Sequence, residues 1–291
     1  MKGSETRLLN FMEGADKRYI IPVYQRSYDW RKEHCKQLYD DLVKVVKQDR
    51  PSHFFGSIVA AVSGGGSKIE YQIIDGQQRL TTVTLLLLAM RNLIAKKLVS
   101  SREDRLDQQI EQRWLLSPWA SEDDRIKLRP VKTDRDAFNR LFGDSEDYDQ
   151  SSNLTHNYNY FYEELQKQVV PIDDLYAAIG KLEVICITLD PGDDAQLIFE
   201  SLNSTGLALD EGDKIRNYIL MGQSLPMQTH LYEKYWLPIE NCTEGDVSAF
   251  VRDYLSIKQQ MTPTIKAVYR DFKAFAESLD SDVETLLKDI L

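Results

Sequence analysis

No stretch of this sequence is apolar for long. The longest run, Val83 to Met90, falls far short of the roughly 20 residues a membrane-spanning helix needs, and the opening Met1 to Asn10 has no apolar core of the kind a secretory leader carries. A cytoplasmic protein without membrane attachment is therefore expected. Cysteine is scarce: Cys35, Cys186 and Cys242 are odd in number, far apart and without Cys-x-x-Cys spacing, which excludes a disulfide framework and a cysteine-zinc site. All three are expected reduced and mostly buried. The four histidines, His34, His53, His156 and His230, form no His-Glu-x-x-His and no His-Asn-His metal finger. His53 reads as structural rather than catalytic. Gly64-Gly65-Gly66-Ser67-Lys68 lacks the second glycine of a Walker loop and is read as a hairpin turn. Positive charge is also short, with 36 Lys and Arg against 46 Asp and Glu; a net charge of -10 excludes non-specific coating of nucleic acid. The best local candidate for a DNA contact, the cluster Arg125, Lys127, Arg129, Lys132 and Arg135, reads rather as a solvated helix or loop face.

What is present describes a folded protein. Hydrophobic residues at 42% and charged residues at 28% are too apolar for disorder, and 291 residues suffice for two structural units. Arg18 to Tyr24 is a β-branched, aromatic run with a proline and predicts an edge strand. The three- and four-residue recurrence of Cys35, Leu38, Leu42, Val45 and Val46 predicts a helix over Lys32 to Gln48. Phe54 to Val62 and Glu70 to Ile74 predict a hairpin, and Gln78 to Val99 a central buried helix. Ser100 to Gly180 reads as a helical insertion. Leu182 to Leu189 predicts a strand buried on both faces, by which the chain returns to its first sheet. Helices follow over Ala195 to Leu202 and, capped by Asp210, over Glu211 to Met221. Beyond Pro226 the pattern is helical, with Tyr232, Tyr235, Trp236 and Leu237 as core candidates. The division expected is 1–99 and 181–222 as an α/β core, 100–180 as the insertion and 223–291 as a C-terminal helical bundle.

The chemistry concentrates where the strand Ile73-Ile74 meets Asp75-Gly76-Gln77-Gln78-Arg79 and then a helix. A helix N-terminus offers unpaired N–H groups and the positive end of a dipole, so it attracts phosphate, and an arginine can grip phosphate through two nitrogens. Gly76 allows close backbone approach, while Asp75 can hold a magnesium ion or orient water. The alternative is that Asp75 merely caps the helix and Arg79 pairs with a surface acid. A second constellation, Tyr24-Gln25-Arg26-Ser27-Tyr28-Asp29-Trp30, either presents Gln25 and Arg26 to phosphates or simply packs its aromatics. Asn203, Thr205 and Gly206 either line a pocket or form a turn.

Taken in order, Ile21 to Trp30, His53 to Val59, Ile73 to Thr82 and Phe199 to Asp210 with Asp213 to Asn217 resemble the successive motifs of the GmrSD-type restriction endonuclease N-terminal domain, over roughly residues 18 to 222. The resemblance implies an α+β fold: a ParB/sulfiredoxin-like mixed-sheet core with a large helical insertion and a C-terminal helical bundle. It implies that Asp75, Gln77, Gln78 and Arg79 are hydrolysis and phosphate residues of a nucleoside triphosphate site with Mg2+, held through Asp75. Tyr24, Gln25, Arg26, Gly56, Ser57, Gly76, Thr81, Asn203 and Gly206 become its nucleotide contacts. Asp213 and Arg216 match the family pattern without an assigned role. Family members often continue into a His-Asn-His nuclease domain, which this chain lacks, so a piece of a longer protein or a regulator of a separate nuclease chain is expected.

The reading that follows is an NTP hydrolase whose nucleotide state controls cleavage of modified or foreign DNA in prokaryotic restriction or phage defence, with room for an oligomer. The alternative is a non-enzymatic module of the same fold that senses DNA or docks a protein. Direct nicking by the chain itself ranks last, because one carboxylate is a thin basis for phosphodiester cleavage.

Overall fold

A computed structural model describes residues 1–63, 69–118, 120–190, 192–203, 209–279 and 282–291. The chain is α+β and divides into two compact units, 1–21 with 27–193, and 22–26 with 194–291. Among the described residues no helix is long and apolar enough to cross a membrane.

The first unit is built on six strands: β1 (Lys2–Arg7), β2 (Lys17–Ile20), β3 (His53–Ser63), β4 (Ile69–Asp75), β5 (Leu128–Arg129) and β6 (Leu182–Leu189), in the order β1-β6-β3-β4-β2-β5. β3 with β4 and β1 with β6 are antiparallel; β3 with β6, β2 with β4 and β2 with β5 are parallel, so the sheet is mixed. The antiparallel pairing expected of β3 and β4 is present, while the glycine turn expected between them, 64–68, lies outside the described residues. The return of the chain to its first sheet is β6. That strand is buried along one face only: Leu182, Val184 and Cys186 are covered, whereas Ile185 is 43% exposed. The expectation of burial on both faces fails: the face carrying Glu183, Ile185 and Ile187 is half-buried to exposed among the described residues.

Helices α1 (Leu8–Met12), α2 (Lys32–Lys47), α3 (Gln77–Ala95), α4 (Leu106–Ile110), α5 (Lys132–Arg140), α6 (Asn153–Gln166) and α7 (Ile172–Ile179) complete the unit. α2 follows its apolar stripe, with Cys35, Leu38, Leu42 and Val45 buried. α3 is buried nearly all round, and its threonines are satisfied locally: the Thr82 and Thr84 hydroxyls donate to the carbonyls of Gln78 and Leu80, each at 2.8 Å. It stops four residues before the expected Val99, where Lys96 and Lys97 end the apolar run and Lys97 takes a left-handed φ of 57°.

The segment read as a purely helical insertion contributes β5 to the sheet. β2 is thereby flanked on both sides rather than lying at an edge, with Ile21 N–H donating to the Arg129 carbonyl at 2.9 Å. β2 ends at Ile20, before Pro22, which has no N–H to give a ladder. The second unit is helical: α8 (Ala195–Asn203), α9 (Glu211–Leu220), α10 (Leu225–Leu231), α11 (Leu237–Cys242), α12 (Val247–Gln259), α13 (Val268–Ser278) and α14 (Val283–Ile290). Asp210 caps α9 as expected, accepting from Asp213 N–H at 2.6 Å. Tyr232, Tyr235 and Trp236 are buried, and Leu237 is half-buried. Cys35 and Cys186 are buried, but Cys242 is exposed, at the C-terminal end of the short α11, which corrects the expectation for that residue.

The basic cluster is a solvated face in part: Arg125, Arg129 and Lys132 are exposed, Arg135 is half-buried, and Lys127 is the exception. Lys127, next to β5, is fully buried and donates from Nζ to the Arg113 carbonyl, while Arg125 pairs with Glu111 at 3.9 Å. Burial, helped by the nearby charge of Lys17, pushes the Lys127 ammonium down from 10.5 to about 8. Between those values the unfolded chain holds the lysine proton more often than the folded one, so this residue's contribution to stability rises with pH from about 8 towards 10.5 and is constant below 8. Denaturant unfolding of wild type and Lys127→Met across pH 7 to 10 should show the wild type gaining on the variant only above about pH 8; a difference independent of pH would contradict the placement of this ammonium.

Candidate functional site

β3 and β4 carry the backbone of the site. β3 departs from regular register opposite β6, Phe54 pairing with Glu183 and Gly56 with Val184, so that Phe55 is left without a partner. Gly56 takes φ 108° there, and a Cβ on it would lie 2.8 Å from Arg79 Nε. The positive φ favours glycine there, and the guanidinium packs into the space that a Cβ would take. Asp75 ends β4, half-buried and paired across to Val59. Gly76 then turns the chain at φ 92° as the N-cap of α3, and a Cβ on it would lie 2.9 Å from the Ser57 carbonyl oxygen. The N-cap position of α3 is held by Gly76, which has no side chain to cap with, so Asp75 is not the N-cap residue. Arg79 folds back from the first turn of α3, its Nη1 donating to the Ser57 carbonyl at 3.3 Å. Gly56, Ser57, Asp75, Gly76 and Arg79 are therefore brought together by the two strand ends and the start of one helix.

The two glutamines are buried, each 8% exposed. The Gln78 amide is engaged: Oε1 accepts from the N–H groups of Asp29 and Trp30 at 3.0 and 3.1 Å, and Nε2 donates to the Ser27 carbonyl at 3.2 Å. This gives Gln78 a positioning role. The same loop is held from α5, where Asp134 accepts from Tyr28 N–H at 2.6 Å, and from α6, where Asn157 Nδ2 donates to the Trp30 carbonyl at 2.7 Å. Burial raises the Asp134 carboxyl above its ordinary range, offset in part by that Tyr28 N–H. Tyr28 is not displayed for stacking on a base: it is buried, and its hydroxyl meets Thr82 Oγ1 at 2.7 Å and Asn157 Nδ2 at 3.0 Å. Trp30 stacks on His34 and meets Phe55 edge-on. Thr81 is buried in α3. His53, read as structural, lies 3.9 Å from Asp41.

Tyr24, Gln25 and Arg26 belong to the second unit. There the carbonyl of Tyr24 accepts from Arg216 Nε at 2.8 Å, and the other guanidinium nitrogens of Arg216 reach Asp213 Oδ1 and Glu240 Oε1, each at 2.5 Å. Glu240 also accepts from Trp236 Nε1 at 2.8 Å and the Tyr232 hydroxyl at 2.9 Å. Arg216 is buried, so Asp213 and Arg216, which had no assigned role, form the hub that holds segment 22–26 to the helical unit. Burial keeps the Asp213 carboxyl above its usual range, the charges of Arg216 and Arg26 pulling it back. Of the remaining expected contacts, Gly206 lies outside the described residues, as does Thr205, and Asn203 is placed only as the last residue of α8. Among the described residues no group of three or more His, Cys, Asp or Glu side chains could share a metal ion.

The fold and the site define an α+β protein in which Asp-Gly-Gln-Gln-Arg joins a central strand to a buried helix. The chain belongs to the family of the GmrSD restriction endonuclease N-terminal domain, whose sequence model matches residues 8–220, and this gives it a place in a restriction, or phage-defence, system. No curated protein matches it in sequence.

Replacing Gln78 by leucine strands three backbone groups of Ser27, Asp29 and Trp30. At about 1 kcal/mol or more for each group that water does not recover, the melting temperature should fall by roughly 4–10 °C; an unchanged melting temperature would contradict the anchoring. In the second unit, Arg216→Ala takes the buried guanidinium away from two half-buried carboxylates and should cost about 2–3 kcal/mol in denaturant unfolding, whereas a loss below about 1 kcal/mol would show that Arg216 is no hub.

Proposed function

We propose that the chain binds a nucleoside triphosphate at Asp75–Arg79, hydrolyses it, and through it controls a nuclease, on the same or another polypeptide, that cuts modified or foreign DNA. The observation that carries this reading is the start of α3: a 19-residue helix, buried nearly all round, whose N-terminus has no side-chain cap and is flanked by a left-handed glycine and by the Arg79 guanidinium. Backbone N–H groups and the dipole there favour anionic oxygens, and an arginine beside them adds charge-assisted bonds to phosphate. Gly56 carries no Cβ to meet the Arg79 guanidinium, and Gly76 none to meet the Ser57 carbonyl. In this reading Gln78 acts by holding loop Ser27–Trp30 on α3. Asp75 offers one carboxylate towards a magnesium ion, with nucleotide phosphates and water completing the shell; such an ion, when bound, neutralises charge on the phosphates. The mixed sheet is compatible with a ParB/sulfiredoxin-like core, which belongs to the same proposal. Control of a nuclease requires that the nucleotide favour one conformation over another, since equal affinity shifts nothing.

A binding-only reading is favoured by one observation, that Asp75 is the only carboxylate of the motif while the Gln78 amide is engaged elsewhere. Phosphate release from ATP, GTP, CTP and UTP with magnesium, with and without DNA, separates the two. The hydrolase reading expects turnover that Asp75→Ala abolishes, and nucleotide affinity weakened roughly 10- to 150-fold in Arg79→Ala. Binding without turnover establishes the module that only binds, and affinity unchanged in Arg79→Ala removes the phosphate from this site.

A further inference from the structure

In a chain of net charge -10, one cavity of the first unit is cationic. It has a volume of about 420 Å³ and is lined by Arg18, Lys127, Arg129 and Arg135 against the acids Glu122 and Asp124. Two of these charges are committed to each other: Arg18 Nη1 pairs with Asp124 at 2.8 Å. The Lys127 ammonium is spent on the Arg113 carbonyl. What remains is unusual for a protein interior. Arg18 Nη2 and Arg135 Nε are both buried without a hydrogen-bond acceptor among the described residues. Arg18 is 91% covered, so bulk water does not replace the missing acceptor at that residue. Buried guanidinium donors left without acceptors are costly, and native proteins rarely keep them without a use.

The charge of Arg135 is opposed by its own burial and then by Arg129, a strain that a bound anion would relieve. Arg129 is itself exposed and can meet a ligand without rearrangement. The volume is larger than an inorganic phosphate needs and falls within the range of small-molecule pockets, of about 300–1,000 Å³. It therefore suits a phosphate with a sugar or base attached. The place is distinct from Asp75–Arg79. Arg18 stands opposite Glu70 on β4, five residues and hence about 16 Å along the strand from Asp75.

We propose that this cavity binds the phosphate of a nucleotide unit, free or within a nucleic-acid strand, through Arg18, Arg129 and Arg135. Arg18 Nη2 and Arg135 Nε are covered as they stand, and oxyanions supply the acceptors they lack once these side chains turn towards the cavity; planar guanidinium groups match phosphate geometry better than a lysine would. Mononucleotide and strand share this chemistry, and their binding separates them. The proposal stands on residues other than those of the nucleotide reading above.

The test uses the full chain, with titration calorimetry for AMP and inorganic phosphate and fluorescence anisotropy for a labelled duplex oligonucleotide. The proteins are wild type, Arg129→Gln, Arg135→Gln and Arg79→Ala, each checked for folding by circular dichroism. A phosphate probe should bind more weakly as salt rises, lose about tenfold or more in affinity in Arg129→Gln and Arg135→Gln, and keep its affinity in Arg79→Ala. Arg129→Gln alters an exposed side chain and keeps the test open if Arg135→Gln does not fold. Binding of AMP assigns the cavity to a free nucleotide, and binding of the duplex alone assigns it to a strand. No binding of any probe, wild-type affinity in both glutamine variants, or a loss confined to Arg79→Ala would overturn the proposal.

Discussion

The amide of Gln78 gives one hydrogen bond to the carbonyl of Ser27 and takes two from the N–H groups of Asp29 and Trp30, and the order of the first unit around its motif depends on that exchange. Of Ser27–Trp30 only Tyr28 is buried, but backbone polar groups that turn away from water still need partners. Here a helix supplies them from a side chain in its first turn, so the loop and the start of α3 are placed together. Asp134 and Asn157 extend the same solution from α5 and α6. Three helices thereby converge on one loop, and the loop in turn limits where Arg79 and the open end of α3 can lie.

Close approach is the second constraint. Arg79 packs where a Cβ on Gly56 would stand, the Ser57 carbonyl lies where one on Gly76 would stand, and both glycines adopt backbone conformations that other residues avoid. Charge is distributed with the same economy. In an acidic chain the buried cations are concentrated at a few places: Arg216, answered by Asp213 and Glu240, and the cavity around Arg18 and Arg135, where the answer is incomplete. A buried arginine matched by carboxylates is a fastening, whereas donors left without acceptors carry a desolvation cost.

Much of this was legible from residue patterns, since α2, β3, β4, α3, β6 and α9 follow apolar periodicity or a capping residue to within a few positions. The junction at Asp75-Gly76 was legible because a β-branched run gives way to a helical one at a glycine. What escaped depends on long-range pairing. β5 is two residues long and has no period to detect, yet it moves β2 away from the edge of the sheet. Nothing near Asn157 or Asp134 in the sequence marks them as partners of a loop more than 100 residues away. Arg216 and Glu240 are 24 residues apart and meet only once the second unit is folded. The pairing of Gln78 with the loop was hidden for the same reason.

The central claim is that phosphate belongs at the open end of α3. A crystal structure of the chain with a non-hydrolysable nucleoside triphosphate and magnesium tests it most directly. The account expects the phosphates over Gly76–Arg79, with the Arg79 guanidinium on them and loop Ser27–Trp30 still held by Gln78. Phosphates bound elsewhere, with the start of α3 facing only protein or solvent, would contradict it.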